Sequence, residues 1–570
     1  MADFSYTEDR ELHDLNRQVN DDPEEFEHWE KLVRASEQQE GGLNRNSSPQ
    51  AIAATRDVYD RFLTRFPLFF GYWKKYADME FGIAGTEAAE MIYERGVASI
   101  SISVDLWTNY CNFKTETSHD IDIIRELFER GAESVGLDFL AHPFWDKYIE
   151  FEERLDADDK IFGILERIIR IPLHQYARYF ERYRTLAEKR PVEELAPPEI
   201  IGRLRQEAEV QSGPKPRNPA EGERELRSRI YAFHNDTFQN TQNETTQRWT
   251  YEQEIKRPYY HVTDLDDAQL DNWRRYLDVE EDGRDYSRAK FLYERCLVTA
   301  ANYEEFWLRY VRWMLSQPGN KAEEARNILQ RASYVFVSIA RPSIRLLWAK
   351  FEESQDQANI AGDILEAVLM VLPGHLETIL ALANLHRRKT GLDAGIATLK
   401  RFTDSHEIPP YVRGALVAEW ARMVADVSGR RDEARKIYNN YQHQYLDCRP
   451  FWLKWFFFEV NQPAIGTEQQ KQHYARVKAV YEAVRKMSAL PSGTIKDLTA
   501  YYLTYLQERG PAGAMKELVD LDKEVNGPLS VQKSSKQQIM HDGNDSVVNN
   551  EMLIEKGLAG AGMHEAASYA

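Results

Sequence analysis

The chain is poor in cysteine, with three in 570 residues: Cys111, Cys296 and Cys448. An odd number set far apart offers no disulfide framework and suits a reducing compartment. Long apolar runs are missing too, so no membrane span and no membrane contact are expected. The opening MADFSYTEDRELHDL has neither the basic nor the apolar region that a secretory signal needs. The Asn243-Glu244-Thr245 match to a glycosylation acceptor is then a chance one. Positive charge is scarce: 73 Lys and Arg stand against 92 Asp and Glu, a formal net charge of -19. Nucleic-acid affinity rests on cations that neutralise phosphate. A chain this acidic is a poor general phosphate binder, and any RNA contact is expected to be indirect or local.

Motifs of ligation and catalysis are missing as well. The 14 His and 3 Cys show no C-x-x-C or H-E-x-x-H spacing, so no metal site is expected. No G-x-x-x-x-G-K-[ST] occurs, and the glycine-rich run at Gly557 follows no strand; no cofactor is expected. The paired carboxylates Glu152-Glu153, Glu280-Glu281 and Glu352-Glu353 sit at helix ends, where solvation or bracing of neighbours is the plain reading. No catalytic residue is assigned, and the chain is not expected to be an enzyme.

What the chain has in excess is aromatic: 12 Trp, 30 Tyr and 25 Phe. Aligning the tryptophans reveals a repeat. WKKYADME starts at Trp73, WTNYCNFK at Trp107, WDKYIEFE at Trp145, WRRYLDVE at Trp273, WLRYVRWM at Trp307 and WLKWFFFE at Trp452. Positions i, i+3 and i+6 share one helical stripe, so each segment predicts a helix with a buried aromatic face. The signature residues are Trp73 with Tyr76, Trp107 with Tyr110, Trp145 with Tyr148, Trp273 with Tyr276, and Trp307 with Tyr310. About 20 residues after each Trp comes a second amphipathic pattern: IYERGV at Ile92, LFERGA at Leu127, ILERII at Ile164, LYERCL at Leu292 and a weaker VYEAVR at Val480. The Glu-Arg pairs inside it recur at the repeat period, which implies a structural role, since one active site needs one copy.

Starts of successive first helices lie 34, 38 and 34 residues apart (Trp73–Trp107, Trp107–Trp145, Trp273–Trp307). The register continues in degraded form, with Arg345 in the Trp position, then Ile379-Leu382-Leu385, Val417-Trp420-Met423 and Trp452. Pro67, Pro143, Pro172, Pro342, Pro373, Pro450 and Pro491 all fall between helical segments, where proline does least harm. At roughly 150 residues per domain the length allows about four domains or one long array. A mid-thirties period with two helices per repeat selects the array, an all-α solenoid of the tetratricopeptide kind. The W-x-x-Y-x-x-[FL]-E helix followed by [IL]-[YF]-E-R-A resembles the HAT (half-a-TPR) variant.

The expected organisation is a flexible N-terminus over 1–21 and a first repeat block over 22–190, opened by Asp22-Pro23 as N-cap and N1. A linker over 191–264 follows, with a flexible SGPKPRNPAEG stretch and one long polar helix ending before Pro258. The second block covers 265–525, and a disordered tail 526–570. A helix polar nearly all round is expected to bridge modules in solvent.

Two surface features stand out. The run Phe451–Phe458 is aromatic on almost every side, so it needs burial beyond one repeat face. Trp452, Trp455, Phe456 and Phe457, with Tyr501, Tyr502 and Tyr505 of the next first helix, either pack internally or form a partner interface. The basic clusters are small: Arg182 with Arg184, Arg387-Arg388-Lys389 and Arg430-Arg431. Tyr183 between two arginines could stack on a base, although a solvated helix face is the simpler reading. Arg387–Lys389 precede Gly391, where cations suit a helix C-terminus.

Two blocks carry a narrower resemblance. RWTYEQEIKRPYYHVTDLDDAQLDNWRRYLDVEE (Arg248–Glu281) and HPFWDKYIEFEE (His142–Glu153) resemble segments of the pre-mRNA-processing factor 39 family, as does the two-block layout over most of residues 20–525. The resemblance implies a nuclear, non-enzymatic scaffold of the U1 snRNP that helps the particle engage 5′ splice sites. Its implied partners are U1 snRNP proteins and, through the second block, itself or a related HAT protein as a dimer. A HAT scaffold in 3′-end cleavage and polyadenylation or ribosomal-RNA processing is the alternative.

Overall fold

A computed structural model describes residues 2–212 and 219–526. Within them the chain forms twenty-six α-helices and no strand. The order begins with α1 (Ala2–Asp21), α2 (Phe26–Glu37), α3 (Pro49–Arg65), α4 (Phe70–Ala84), α5 (Thr86–Ser99) and α6 (Val104–Thr117). It continues through α7 (Ile121–Val135), α8 (His142–Arg154), α9 (Asp158–Ile168), α10 (Tyr176–Ala187), α11 (Pro198–Ser212) and the long α12 (Pro219–Glu254). Next come α13 (Asp267–Asp282), α14 (Tyr286–Thr299), α15 (Glu304–Ser316), α16 (Ala322–Arg331), α17 (Ser343–Ser354), α18 (Ala358–Val371) and α19 (Leu376–Thr390). The last are α20 (Leu392–Thr403), α21 (Pro410–Asp426), α22 (Arg431–Tyr441), α23 (Arg449–Val460), α24 (Thr467–Met487), α25 (Ser492–Arg509) and α26 (Ala514–Val525). The fold is an all-α solenoid of HAT helix pairs, as expected.

Local chemistry sets many of the helix starts. Ser48 and Ser103 cap α3 and α6, and Asp120 and Asp285 cap α7 and α14, each accepting from the first-turn amides. Pro49 stands at the first position of α3. Asp22-Pro23 does not open α2, contrary to expectation. Asp22 accepts from the Glu24 amide in a turn, and α2 begins at Phe26 behind Glu25 as N-cap. The N-terminal segment, expected to be flexible, forms α1. Leu12, Leu15 and Val19 lie on one stripe of it and pack into the core.

The helices group into two compact units that divide between Leu347 and Trp348, inside α17. The packing therefore draws the division elsewhere than between blocks 22–190 and 265–525. The linker region belongs to the first unit. α12 has the predicted length but does not stand in solvent. Leu226, Ile230, His234, Thr241, Thr245 and Arg248 form a buried stripe along it, against α10, α11 and α13. Only two of those six are apolar, so a hydropathy pattern misses the stripe. Each polar one is paired within the fold. Thr241 Oγ1 donates to Ile169 O at 2.7 Å, His234 Nε2 lies 2.9 Å from Leu195 O, and Arg248 holds Glu280. The central part of the SGPKPRNPAEG stretch (213–218) and the tail from 527 lie outside the described residues.

Candidate interaction surfaces

The repeat signature resolves into one recurring side-chain assembly. In six of the tryptophan helices the indole N–H is offered to the turn before it. Trp29 donates to Pro23 O, Trp73 to Pro67 O, Trp107 to Ser101 O and Trp307 to Ala301 O, at 2.7 to 3.0 Å. Trp145 and Trp452 reach slightly further back, to Gly136 O and Tyr445 O. Trp273 follows a connection of different shape, and its indole nitrogen finds no partner. Where the register puts Arg345 in place of Trp, the guanidinium does the same work. It is buried and donates to the carbonyls of Ser333, Val337 and Ser338.

The tyrosine three residues on donates to an acidic side chain of the preceding helix, and the arginine of the following helix joins the same carboxylate. Glu94 accepts from Tyr110 at 2.8 Å and from Arg130 at 2.8 and 2.9 Å. Glu129 accepts from Tyr148 and Arg167, and Glu294 from Tyr310 and Arg331. Asp60 serves Tyr76 and Arg95. Each of these arginines also lies over the tryptophan of its repeat, 5.5 to 5.7 Å from the ring centre. The Glu-Arg dipeptide is therefore a relay. Its Glu holds the next repeat and its Arg holds the previous one. The Arg130 bond draws the Glu94 carboxyl below the ordinary carboxylate range. Burial raises Tyr76, Tyr110, Tyr148, Tyr276 and Tyr310 far above the ordinary phenol value. These residues hold neighbouring repeats together.

The helix-end carboxylates brace neighbours too. Glu80, Glu152, Glu280 and Glu459 are buried and paired with Arg56, Arg125, Arg248 and Arg435. One junction in the first unit is denser. Arg295 is enclosed between Asp138 and Glu252, and Tyr276 donates to Glu252 at 2.9 Å. Burial raises the Asp138 carboxyl despite Arg295 beside it.

In the second unit α23 lies against α21, α24 and α25, and its own chain covers most of its aromatic surface. Trp455 stacks on Tyr438 at 5.6 Å, and Tyr502 stacks on Tyr481 at 4.1 Å. Trp452, Trp455, Phe456, Tyr502 and Tyr505 are all buried. Tyr502 donates to Glu517, while Tyr505 meets His473 and is pushed up to about 12 by burial. Internal packing accounts for these five. Phe457 is half-buried and meets Tyr501 edge-on at 5.0 Å. Tyr501 is 46% exposed, so of the seven residues this pair alone is not enclosed by the chain.

Tyr183 is not available to a base. It is buried against Phe162, with its hydroxyl between Leu195 O and His234. Arg387, Arg388 and Lys389 do close α19 before Gly391, and Arg388 pairs with Glu353. Arg430-Arg431 open α22 at the rim of a groove that Gln462 and Arg476 also line, neither of which the sequence patterns singled out. Among the described residues no three His, Cys, Asp or Glu side chains are placed to hold a metal ion. No helix among them is long and apolar enough to cross a membrane.

Comparison with known proteins gives concordant matches. The family model described as PRP39 N-terminal HAT repeat matches residues 13–185, and that described as PRP39 C-terminal HAT repeat matches residues 246–388. Pre-mRNA-processing factor 39 of Schizosaccharomyces pombe is 46% identical over 580 aligned residues, which cover 99% of this chain and 94% of the relative. The Homo sapiens protein of the same name is 31% identical over 399 residues, covering 66% of this chain and 56% of the relative. The U1 small nuclear ribonucleoprotein component PRP42 of Saccharomyces cerevisiae is 23% identical over 332 residues, covering 56% and 60%. Among solved structures CstF-77 aligns with a TM-score of 0.52 at 14% identity, over 81% of this chain and 90% of that one. At that identity the likeness speaks to fold alone.

Proposed function

The chain belongs to the pre-mRNA-processing factor 39 family, and on that premise we propose that it is a nuclear, non-enzymatic scaffold of the U1 snRNP that supports 5′ splice-site recognition. The observation that carries the reading is likeness along nearly the whole chain to a relative named for pre-mRNA processing. A relative named as a U1 component points the same way. The physics is consistent with it. A solenoid in which each repeat packs on its neighbours turns a long surface toward partners. The charged and aromatic signature residues are spent on holding that surface in place. The partners are U1 snRNP proteins, with RNA contact indirect or local.

We further propose that the second unit, over about 410–525, mediates association with a second copy or a related HAT protein. The Phe457–Tyr501 pair lies at its surface. Light scattering of the purified chain is expected to give about twice the 66.5 kDa of one copy. A monomer at micromolar concentration would remove self-association. The functional reading is tested by tagged purification from nuclear extract. Recovery of U1 snRNA with its core proteins is expected. Recovery of cleavage and polyadenylation factors without U1 would refute the splicing role and leave only the scaffold.

A further inference from the structure

We propose that the cationic groove at the start of α22 binds an extended peptide segment of a partner protein, one that sets a carboxylate beside an apolar side chain. This deepens the scaffold reading by naming one docking point. The groove has a volume of about 710 Å³ and lies between the first turn of α22 and the connection from α23 into α24. Its lining carries four arginines against the carboxylates of Asp432 and Glu433. In a chain of net charge -19 that balance is an exception.

The arginines are unequally engaged. Arg430 pairs with Glu433 at 3.0 Å, and Arg435 holds the buried Glu459 at 2.7 Å. Arg476 shares that same carboxylate, 3.6 Å away. Arg431 is exposed, with no ion-pair partner among the described residues. A guanidinium so placed is a fork for a carboxylate.

The fold leaves one polar atom of the lining unsatisfied. Gln462 is only 8% exposed. Its Nε2 donates to Phe458 O at 2.7 Å, but its Oε1 has no hydrogen-bond partner. Arg476 Nε and Glu459 Oε2 face one another at 3.6 Å, an ion pair longer than a hydrogen bond. Buried unpaired polar atoms are costly and uncommon in folded proteins. Gln469 and Gln472 in the lining add side-chain amides, which carry both donors and acceptors as a peptide backbone does. A phosphodiester strand brings mainly acceptors and meets Asp432 and Glu433, so the balance favours a peptide over RNA. At the rim Pro463 and Ile465, the latter 83% exposed, form an apolar seat. Phe457 and Tyr501 do not line the groove, so it is distinct from that pair, although it lies within the stretch assigned to self-association.

The test is selection of a phage-displayed library of random 12-residue peptides on the full chain. Counter-selection uses the Arg431→Glu/Gln462→Ala/Arg476→Glu variant. Recovered peptides are expected to pair Asp or Glu with an apolar neighbour. A fluorescein-labelled peptide from that pool should lose all binding to the triple variant. It should bind Arg431→Glu about tenfold more weakly, and because that side chain is exposed and unpaired this variant keeps the fold. A twelve-residue oligouridylate should not displace it. The proposal is overturned if no peptide distinguishes wild type from the triple variant, if Arg431→Glu has no effect, or if the oligouridylate displaces the peptide. It is also overturned if the variants change the light-scattering mass, which would make a second copy the occupant. U1 snRNA recovery is read separately. Peptide binding without U1 recovery would sink the U1 role alone, and U1 recovery without peptide binding would sink the groove alone.

Discussion

The run α3–α16 and the run α18–α21 repeat the same helix-pair plan with different chemistry inside. In the first, indoles hook the preceding turn and Tyr, Arg and Glu relay from repeat to repeat. In the second, Ile379, Leu382, Leu385, Val417 and Met423 fill the same register, and Trp420 is the one ring left in it. There α19 and α20 approach so closely that a methyl on Gly395 would lie 2.9 Å from Ala383 O. Spacing of buried positions fixes the helix pair, and the aromatic signature adds a polar lock to it.

The sharpest test of that contrast compares one residue from each run. Trp307, fully buried, carries packing, an indole hydrogen bond and the seat for Arg331. Trp307→Ala is expected to cost about 3–5 kcal/mol, and Leu382→Ala, which removes packing alone, about 2–4 kcal/mol. Amide exchange in each unit measures both, and equal losses would deny the lock any share. Arg295→Ala leaves Asp138 and Glu252 buried without their cation, at a cost of about 3–5 kcal/mol. Because burial already favours protonated Asp138, that loss should shrink at pH 5, and denaturant melts at pH 7 and pH 5 report it. Tyr310→Phe removes one bond to Glu294 while Arg331 keeps the carboxylate paired, so about 1–2 kcal/mol is expected. Gly395→Ala gains helix propensity of about 1 kcal/mol but meets Ala383 O. Net destabilisation in a thermal melt is the expected sign.

The relay also sets an acid limit on the first unit. The Glu94 carboxyl is lowered in the fold by Arg130. Its contribution is therefore present above the unfolded value near about 4.3 and is lost as pH falls through the folded value. Protection of α5 to α7 is expected to hold from pH 7 to 5 and to decline below about pH 4. Unchanged protection at pH 3 would contradict the assignment.

The helices that tile the repeat were legible because their buried residues are large, apolar and periodic. Trp73, Trp107, Trp145 and Trp307 announce both register and core, and Arg345 was placed correctly by spacing alone. The buried stripe of α12 was not legible, since His234, Thr241, Thr245 and Arg248 read as solvent residues until their partners are known. α1 was missed for a related reason. Three apolar residues, Leu12, Leu15 and Val19, carry its packing within a charged sequence. The aromatic run of α23 was rightly singled out, but sequence could not apportion it between internal packing and a partner. Five of the seven residues turned inward because α22 supplies Tyr438, and α24 supplies Tyr481 and His473, to meet them. The groove at Arg431 was half visible, since its polar floor comes from an irregular connection.

The measurement that tests the central claim most directly is depletion and add-back. Nuclear extract is depleted of this protein, and U1 crosslinking to a 5′ splice-site RNA is measured before and after recombinant chain is restored. A scaffold predicts that crosslinking falls on depletion and returns with the full chain in stoichiometric amount. Crosslinking that survives depletion unchanged would contradict the account.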